Sequence, residues 1–385
     1  IYLVNLPEVG GISAVISNEN IADKISIFPD VSDKETLITL LIIPFAVQWW
    51  STWYPGAEPG GVGYIAQRML AAKNENHALG ATLFFNIMHY ALRPWPWIIV
   101  ALASLVVFPD IDSISQAFPN VAEDKLGQDL AYPAMLTMLP KGLLGLVLAS
   151  LVSAYMSTIS THLNWGSSYV VNDFYLQLIN KNASQKELVN VGRISVVILM
   201  ILSSIIAISL NNAYQLFDII LMFVAGTGSI FILRWFWWRI NAWSEIAAML
   251  SSGLISIALT NETIFNLIFN DDGFPVYMKF PFIVLVTTII WLIVTFVTPS
   301  DDNETLVKFY NKTNPGGPGW NHIKKNNKIK ILKENDNWIV PDGIVCMLIG
   351  CVAIYSALFC TGYFIYGDTV TGFSFLIITI VFSYL

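Results

Sequence analysis

Eight stretches of this chain are apolar for long enough to cross a bilayer, and that property constrains its fold more than any other. They cover 37–54, 79–108, 134–172, 190–210, 213–233, 243–260, 280–299 and 340–366, and a ninth apolar run begins near 372. A hydrocarbon core about 30 Å thick takes about 20 helical residues. Within it each backbone polar group must be bonded inside its own segment, so runs of this kind are helices. Only 12% of the residues are charged and 55% are hydrophobic, whereas soluble domains carry about 25% charged residues. Too little polar surface remains to face water on every side. A soluble enzyme, a nucleic-acid binder and a disordered scaffold are excluded, and the expectation is an all-α polytopic membrane protein.

The run 134–172 is too long for a simple span at about 1.5 Å per residue, so it is expected to cross and continue as a helix towards Asp173. The longest connection, 300–338, is lysine-rich, contains Pro315-Gly316-Gly317-Pro318-Gly319, and reads as a flexible connector. The chain opens at Ile1 in a polar stretch and stops at Leu385 inside an apolar run, the expected look of a fragment cut at both ends. Three cysteines, Cys346, Cys351 and Cys360, have no histidine or acidic partner at metal spacing.

Orientation follows from lysine and arginine. The loops 55–78, 173–193, 234–242 and 300–338 carry fourteen of them, and the alternate segments carry four, Lys24, Lys34, Lys125 and Lys279. The positive-inside rule places the first set in the cytoplasm. The strict alternation also supports the number of spans, since one missed helix would invert everything after it.

Within the run 134–172, Ser150, Ser153, Ser157, Thr158, Thr161, Asn164 and Ser168 recur at spacings of three and four and form one hydroxyl-rich stripe. Two readings are open. Small hydroxyl residues let helices approach closely in lipid. Alternatively, the Ser157 and Thr158 hydroxyls and the Ala154 carbonyl supply oxygens to a hard cation such as sodium, with a neighbouring unwound helix completing the shell. Asp218 stands alone in a run without other charges from Ile194 to Leu233. A carboxylate there is a functional candidate, or else a shallow residue close to Asn211-Asn212. His89 and Arg93 lie midway along 79–108, before Pro94-Trp95-Pro96-Trp97, where the arginine would hold a kinked helix.

Pro55-Gly-Ala-Glu-Pro-Gly-Gly61 ends the first span. Gln48, Trp49, Trp50, Trp53 and Tyr54 just before it suit interfacial anchoring and equally a polar solute with an apolar face. No Ser/His/Asp, His-Glu-x-x-His or phosphate-loop signature occurs at usable spacing. No catalytic residue is therefore assigned, and an intramembrane enzyme using His89, His162 or Asp218 is the weakest alternative.

Four stretches resemble the sodium:solute symporter family, which includes sodium/glucose, sodium/galactose and sodium/proline cotransporters. They are Tyr64-Ile-Ala-Gln-Arg-Met-Leu-Ala-Ala-Lys73, Ala154-Tyr-Met-Ser157-Thr158-Ile-Ser160 with Asn164, Leu188-Val-Asn-Val-Gly-Arg193, and Trp237-Trp238-Arg239. The resemblance implies a LeuT-like core of two inverted five-helix repeats with a midplane site and alternating access. Residues 37–233 then correspond to the second repeat, after an extracytoplasmic segment 1–36. The first repeat is missing, and 234–385 supplies additional helices around the loop 300–338.

The resemblance also makes Ala154, Ser157 and Thr158 sodium ligands, with Na+ as the co-transported ion. It places Asp218 where the sugar carriers have a pocket glutamine, which disfavours a neutral hexose and suits an amino group, a cation or a proton. Gln48, Trp53 and Tyr54 are the nearest solute-site candidates, because the sequence around 48–61 departs from the family. The implied partners are a small organic solute such as a sugar or amino acid, sodium and the lipid bilayer, with no nucleic acid, in a bacterial inner membrane. A sensory input module and proton coupling through Asp218 are the alternatives.

Overall fold

Where the sequence runs apolar, the chain is helical. The computed structural model describes residues 1–22, 24–26, 32–48, 50, 68–209, 213–269, 275–315, 317–326, 338 and 340–385. After a short helix, Ile12–Ile16, the first helix of an apolar run starts at Lys34, with the Asp33 carboxylate accepting the Glu35 and Thr36 N–H groups, and continues in π-helical turns to Gln48. α1 (Glu75–Asn86) passes through a π-helical segment, Ile87–Leu92, into α2 (Trp95–Val107). Pro94 offers no N–H and crowds the carbonyl one turn back. The widened turns lie immediately before it, where a helix accommodates such a misfit.

α3 (Lys141–Tyr169) continues as a π-helix, Val170–Ile179, and is followed by α4 (Gln185–Ser209), α5 (Ala213–Phe236) and α6 (Ala242–Thr260). α7 (Lys279–Val297), α8 (Asn303–Thr313), α9 (Asn321–Asn326), α10 (Val340–Tyr366) and α11 (Thr369–Tyr384) complete the order. Among the described residues seven helices are long and apolar enough to cross a membrane, and Thr369–Tyr384 is a shorter apolar helix. The third run divides at Pro140: a short helix, Ala131–Leu136, precedes it and α3 begins directly after it. The expected extension is present, and it reaches Ile179, beyond Asp173.

The chain forms two compact units, Ile1–Ala22 with Trp97–Ala213, and Asp23–Pro96 with Tyr214–Leu385. In the first unit α4 returns along α3. The buried Ser167 hydroxyl donates to the Gly192 carbonyl at 2.9 Å. At the turn between them the Glu187 carboxylate accepts the Tyr175 hydroxyl at 2.6 Å and the Asn180 amide at 3.1 Å.

In the second unit α5, α6 and α7 share a core in which Met222, Ile230, Ala248, Ile283 and Trp291 are buried. Gly226 lets α5 and α6 meet, because a Cβ there would run into the Ser252 side chain. α10 and α11 form a hairpin held by aromatic contacts, with Tyr363 stacked on Phe375 at 5.6 Å.

The segment expected as a flexible connector is folded over 303–315 and 317–326. α8 places Leu306, Val307 and Tyr310 on one face, and they are buried with Trp320 and Ile323. Asn314 in the left-handed conformation ends α8. The chain then returns to the end of α5, where the Trp320 indole donates to the Trp235 carbonyl at 2.9 Å and His322 stacks on Trp238 at 4.5 Å. Only glycine fits at 319, since a Cβ there would collide with the Phe236 carbonyl. The lysine content masked this cap: the buried residues are few, and the charges lie on the opposite face of a short amphipathic helix.

Candidate functional site

The three expected sodium ligands lie together on α3. Ala154, Ser157 and Thr158 are all exposed, and the helical repeat puts them on one face. The Thr158 hydroxyl donates to the Ala154 carbonyl at 2.9 Å, and Thr161 donates to the Ser157 carbonyl at the same distance. Ser150 and Ser153 likewise donate to the Val147 and Ala149 carbonyls, at 2.8 and 2.7 Å. Each of these hydroxyls spends its proton on its own helix, which turns its lone pairs outward.

A hard cation needs that arrangement, since it binds oxygen lone pairs and is repelled by protons. The Ser157 hydroxyl makes no hydrogen bond among the described residues. Of the three, the Ala154 carbonyl is the most committed, because it holds the Thr158 proton in addition to its place in the helical ladder. A cation using that carbonyl would have to turn the Thr158 proton away. Among the described residues no group of three or more His, Cys, Asp or Glu side chains is placed to hold a metal. Only oxygens from hydroxyls and carbonyls are on offer here, the donor set of a monovalent hard ion.

Of the solute-site candidates, Asp218 and Gln48 belong to helices of the second unit. Asp218 lies on α5, but its side chain is outside the described residues, as is that of Gln48 at the end of the first helix. Trp53, Tyr54 and the stretch Pro55–Gly61 lie wholly outside them. Trp50, grouped above with interfacial aromatics, instead donates its indole N–H to the Ala225 carbonyl on α5 at 2.9 Å. A tryptophan that fixes a neighbouring helix and one that sits in the headgroup layer look alike in sequence.

Arg93 and His89 do meet, with Nη1 2.9 Å from Nδ1 one turn away. Arginine only donates, so the imidazole Nδ1 accepts and its proton sits on Nε2. Phe85 stacks on the same imidazole at 5.0 Å. This bond of Arg93 is thus to a side chain of the π-helical turns before Pro94, and not to a freed carbonyl as expected.

Helices of this length and hydropathy define an integral membrane protein. The sequence profile of the sodium:solute symporter family matches residues 1–252. The chain belongs to that family, and with it to the LeuT-like transporter fold. It is 33% identical over 217 residues to sodium/myo-inositol cotransporter 2 of Sus scrofa, an alignment covering 51% of this chain and 31% of that protein. It is 28% identical over 197 residues to the sodium/glucose cotransporter of Vibrio parahaemolyticus, covering 49% and 36%. It is 29% identical over 284 residues to the sodium/myo-inositol cotransporter of Bos taurus, covering 67% and 39%. The chain thus spans about a third of the length of the relatives it matches.

Proposed function

We propose that this chain is part of a sodium-coupled symporter for a small organic solute, acting in a bacterial inner membrane. One observation carries the reading: the outward-facing oxygens of Ser157 and Thr158 on α3, in a chain of the sodium:solute symporter family. Sodium binds at Ala154, Ser157 and Thr158 and favours the outward-open conformation, in which the solute site is ordered. Solute binding then permits the change to the inward-open state, where low sodium empties the site. Coupling requires only that the two ligands favour the same conformations. The relatives' names point to a sugar or cyclic polyol. An acceptor-only carboxylate such as Asp218 can take two neighbouring hydroxyls of such a molecule, although it disfavours a neutral hexose and suits an amino group, a cation or a proton better. Residues 37–233 are assigned to the second inverted repeat, and Gln48, Trp53 and Tyr54 to the solute side of the site.

The test is thermal stability of the full-length protein in detergent, titrated with sodium against potassium at constant ionic strength. A ligand of the native state stabilises by mass action, by about 2.7 kcal/mol at a hundred times its Kd. The expected result is a sodium-specific rise that is absent in Ser157→Ala/Thr158→Ala. Equal responses to the two cations would discard the sodium site. They would transfer the coupling to a proton at Asp218, to be read from the pH dependence of uptake by Asp218→Asn.

A further inference from the structure

Trp50 follows the helix that starts at Lys34, and its indole reaches α5, where the N–H donates to the Ala225 carbonyl at 2.9 Å. A carbonyl has two lone pairs and the helical bond uses one, so the contact takes nothing from α5. The ring is also seated. Three residues beyond Ala225, Gly228 leaves the space it occupies, because a Cβ there would run into the Trp50 ring. On the opposite side of α5 by the helical repeat, Gly226 admits Ser252 of α6 in the same way.

The two ends of this contact fall beside two of the solute-site candidates. Ala225 stands seven residues after Asp218, close to two full turns, so both positions lie on one face of α5 about 10 Å apart. Trp50 stands two residues after Gln48, and the segment Pro44–Gln48 lies against α7. Packing alone lets a ring slide or turn, whereas an N–H bond to a helix carbonyl sets both its depth and its rotation. The bond therefore fixes the chain beside Gln48 against the face of α5 that carries position 218.

We propose that Trp50 is a positioning residue of the solute site, holding the chain beside Gln48 in register with the face of α5 on which Asp218 stands. The inference rests on the assignment of Gln48 and Asp218 to that site. The indole N–H is spent on Ala225, so Trp50 acts through these neighbours and not on the solute itself. The sodium candidates on α3 belong to the other unit, so the tie bears on solute affinity and leaves sodium affinity alone.

The experiment has two readouts, both on the full-length protein. The first is sodium-driven uptake into proteoliposomes, with myo-inositol and glucose as the probes. Trp50→Phe keeps a ring and removes the donor, so KM should rise about fivefold, the size of one neutral hydrogen bond. Vmax and the half-saturating sodium concentration should stay within about twofold, as expected when only solute binding is weakened. Gly228→Ala, which expels the ring from its seat, should raise KM further. The second readout needs no solute. Spin labels at Ala46→Cys and Ile220→Cys, both exposed positions, on a background without other cysteines, should give one dominant distance in saturating sodium. Trp50→Ala should lose it to a broad distribution. An unchanged KM in Trp50→Phe, or a fall in Vmax at constant KM, would overturn the positioning role. If neither probe enters wild-type vesicles, the solute reading fails separately, and a label distance unmoved by Trp50→Ala would overturn the tie.

Discussion

α3 and α6 both carry hydroxyl residues at helical spacing, and they use them differently. On α6 Ser244, Ser252 and Ser256 are fully buried, as are Thr287 and Thr295 on α7. Thr295 bonds to Ser244 at 2.8 Å, and Ser252 donates to the Phe223 carbonyl of α5 at 2.7 Å, next to the Gly226 contact. Those two bonds join helices, whereas Ser256 donates to the Ser252 carbonyl of its own helix and Thr287 is buried without a hydrogen-bond partner among the described residues. On α3 the stripe from Ser150 to Thr161 is exposed, no residue of its most apolar window is buried, and the bonds given for its hydroxyls close on α3 itself. Ser244 and Ser252 of α6 thus make bonds to neighbouring helices, and within the first unit the described bonds of Ser150, Ser153, Thr158 and Thr161 stay on α3. Further along, at Ser167, α3 does use a hydroxyl to hold a neighbour.

The contrast can be broken by the same change made in both places. Gly226→Ala forces a methyl group into Ser252 and should cost about 3 kcal/mol, at the upper end for overpacking. Gly145→Ala on α3, where a Cβ meets nothing within 4 Å, should stay within about 0.5 kcal/mol. Denaturation of the purified variants decides it, and a comparable loss at Gly145 would show that α3 is packed there after all.

The next comparison exchanges the readout. Ser157→Ala/Thr158→Ala should raise the sodium concentration for half-maximal uptake about 100-fold, roughly tenfold for each lost ligand, with sodium-free stability unchanged. Ser252→Ala should do the reverse, lowering stability by about 1 kcal/mol and leaving the sodium response alone. If the α3 double variant loses stability and keeps its sodium dependence, both stripes are packing devices.

The smallest effect concerns the cap. The Asp302 carboxylate starts α8 by accepting the Thr305 hydroxyl at 2.6 Å and its N–H at 2.8 Å. The Thr305 side-chain bond, followed by the backbone bond, holds its pKa below the ordinary carboxylate value. A depressed folded-state pKa means that the contribution is present above the unfolded value and is lost as pH falls through the folded one. Amide exchange in α8 should therefore be insensitive to pH-linked opening near neutrality and accelerate only below about pH 4. Asp302→Asn should flatten that acid limb.

How much of this was legible depended on which force fixed each feature. The spans were readable because hydrocarbon thickness dictates their length, and 340–366 matches α10 at both ends. The proximity of Ala154, Ser157 and Thr158 followed from the helical repeat alone. Contacts between segments distant in the chain were not legible: nothing in the Trp49-Trp50 pair distinguishes a membrane anchor from the indole that binds Ala225. The π-helical turns at 87–92 arise from a steric conflict at Pro94, which periodicity does not register. The cap was hidden in a lysine-rich segment whose apolar residues, Leu306, Val307, Tyr310, Trp320 and Ile323, become a pattern only once the chain has doubled back.

The length of α3 carries a mechanical consequence. From Lys141 to Ile179 the helix runs 39 residues without interruption, which makes it about 55 Å long and leaves about 25 Å beyond a hydrocarbon core. Such a rod acts as a pointer: a 10° tilt about the bilayer would sweep its far tip through about 4 Å by simple trigonometry on that overhang. The Glu187 contacts with Tyr175 and Asn180 splice α4 to that tip, so the hairpin swings as one piece. A rearrangement of a fraction of an ångström around Ser157 would thus be magnified at Lys181, where a reporter dye could follow it from outside the membrane.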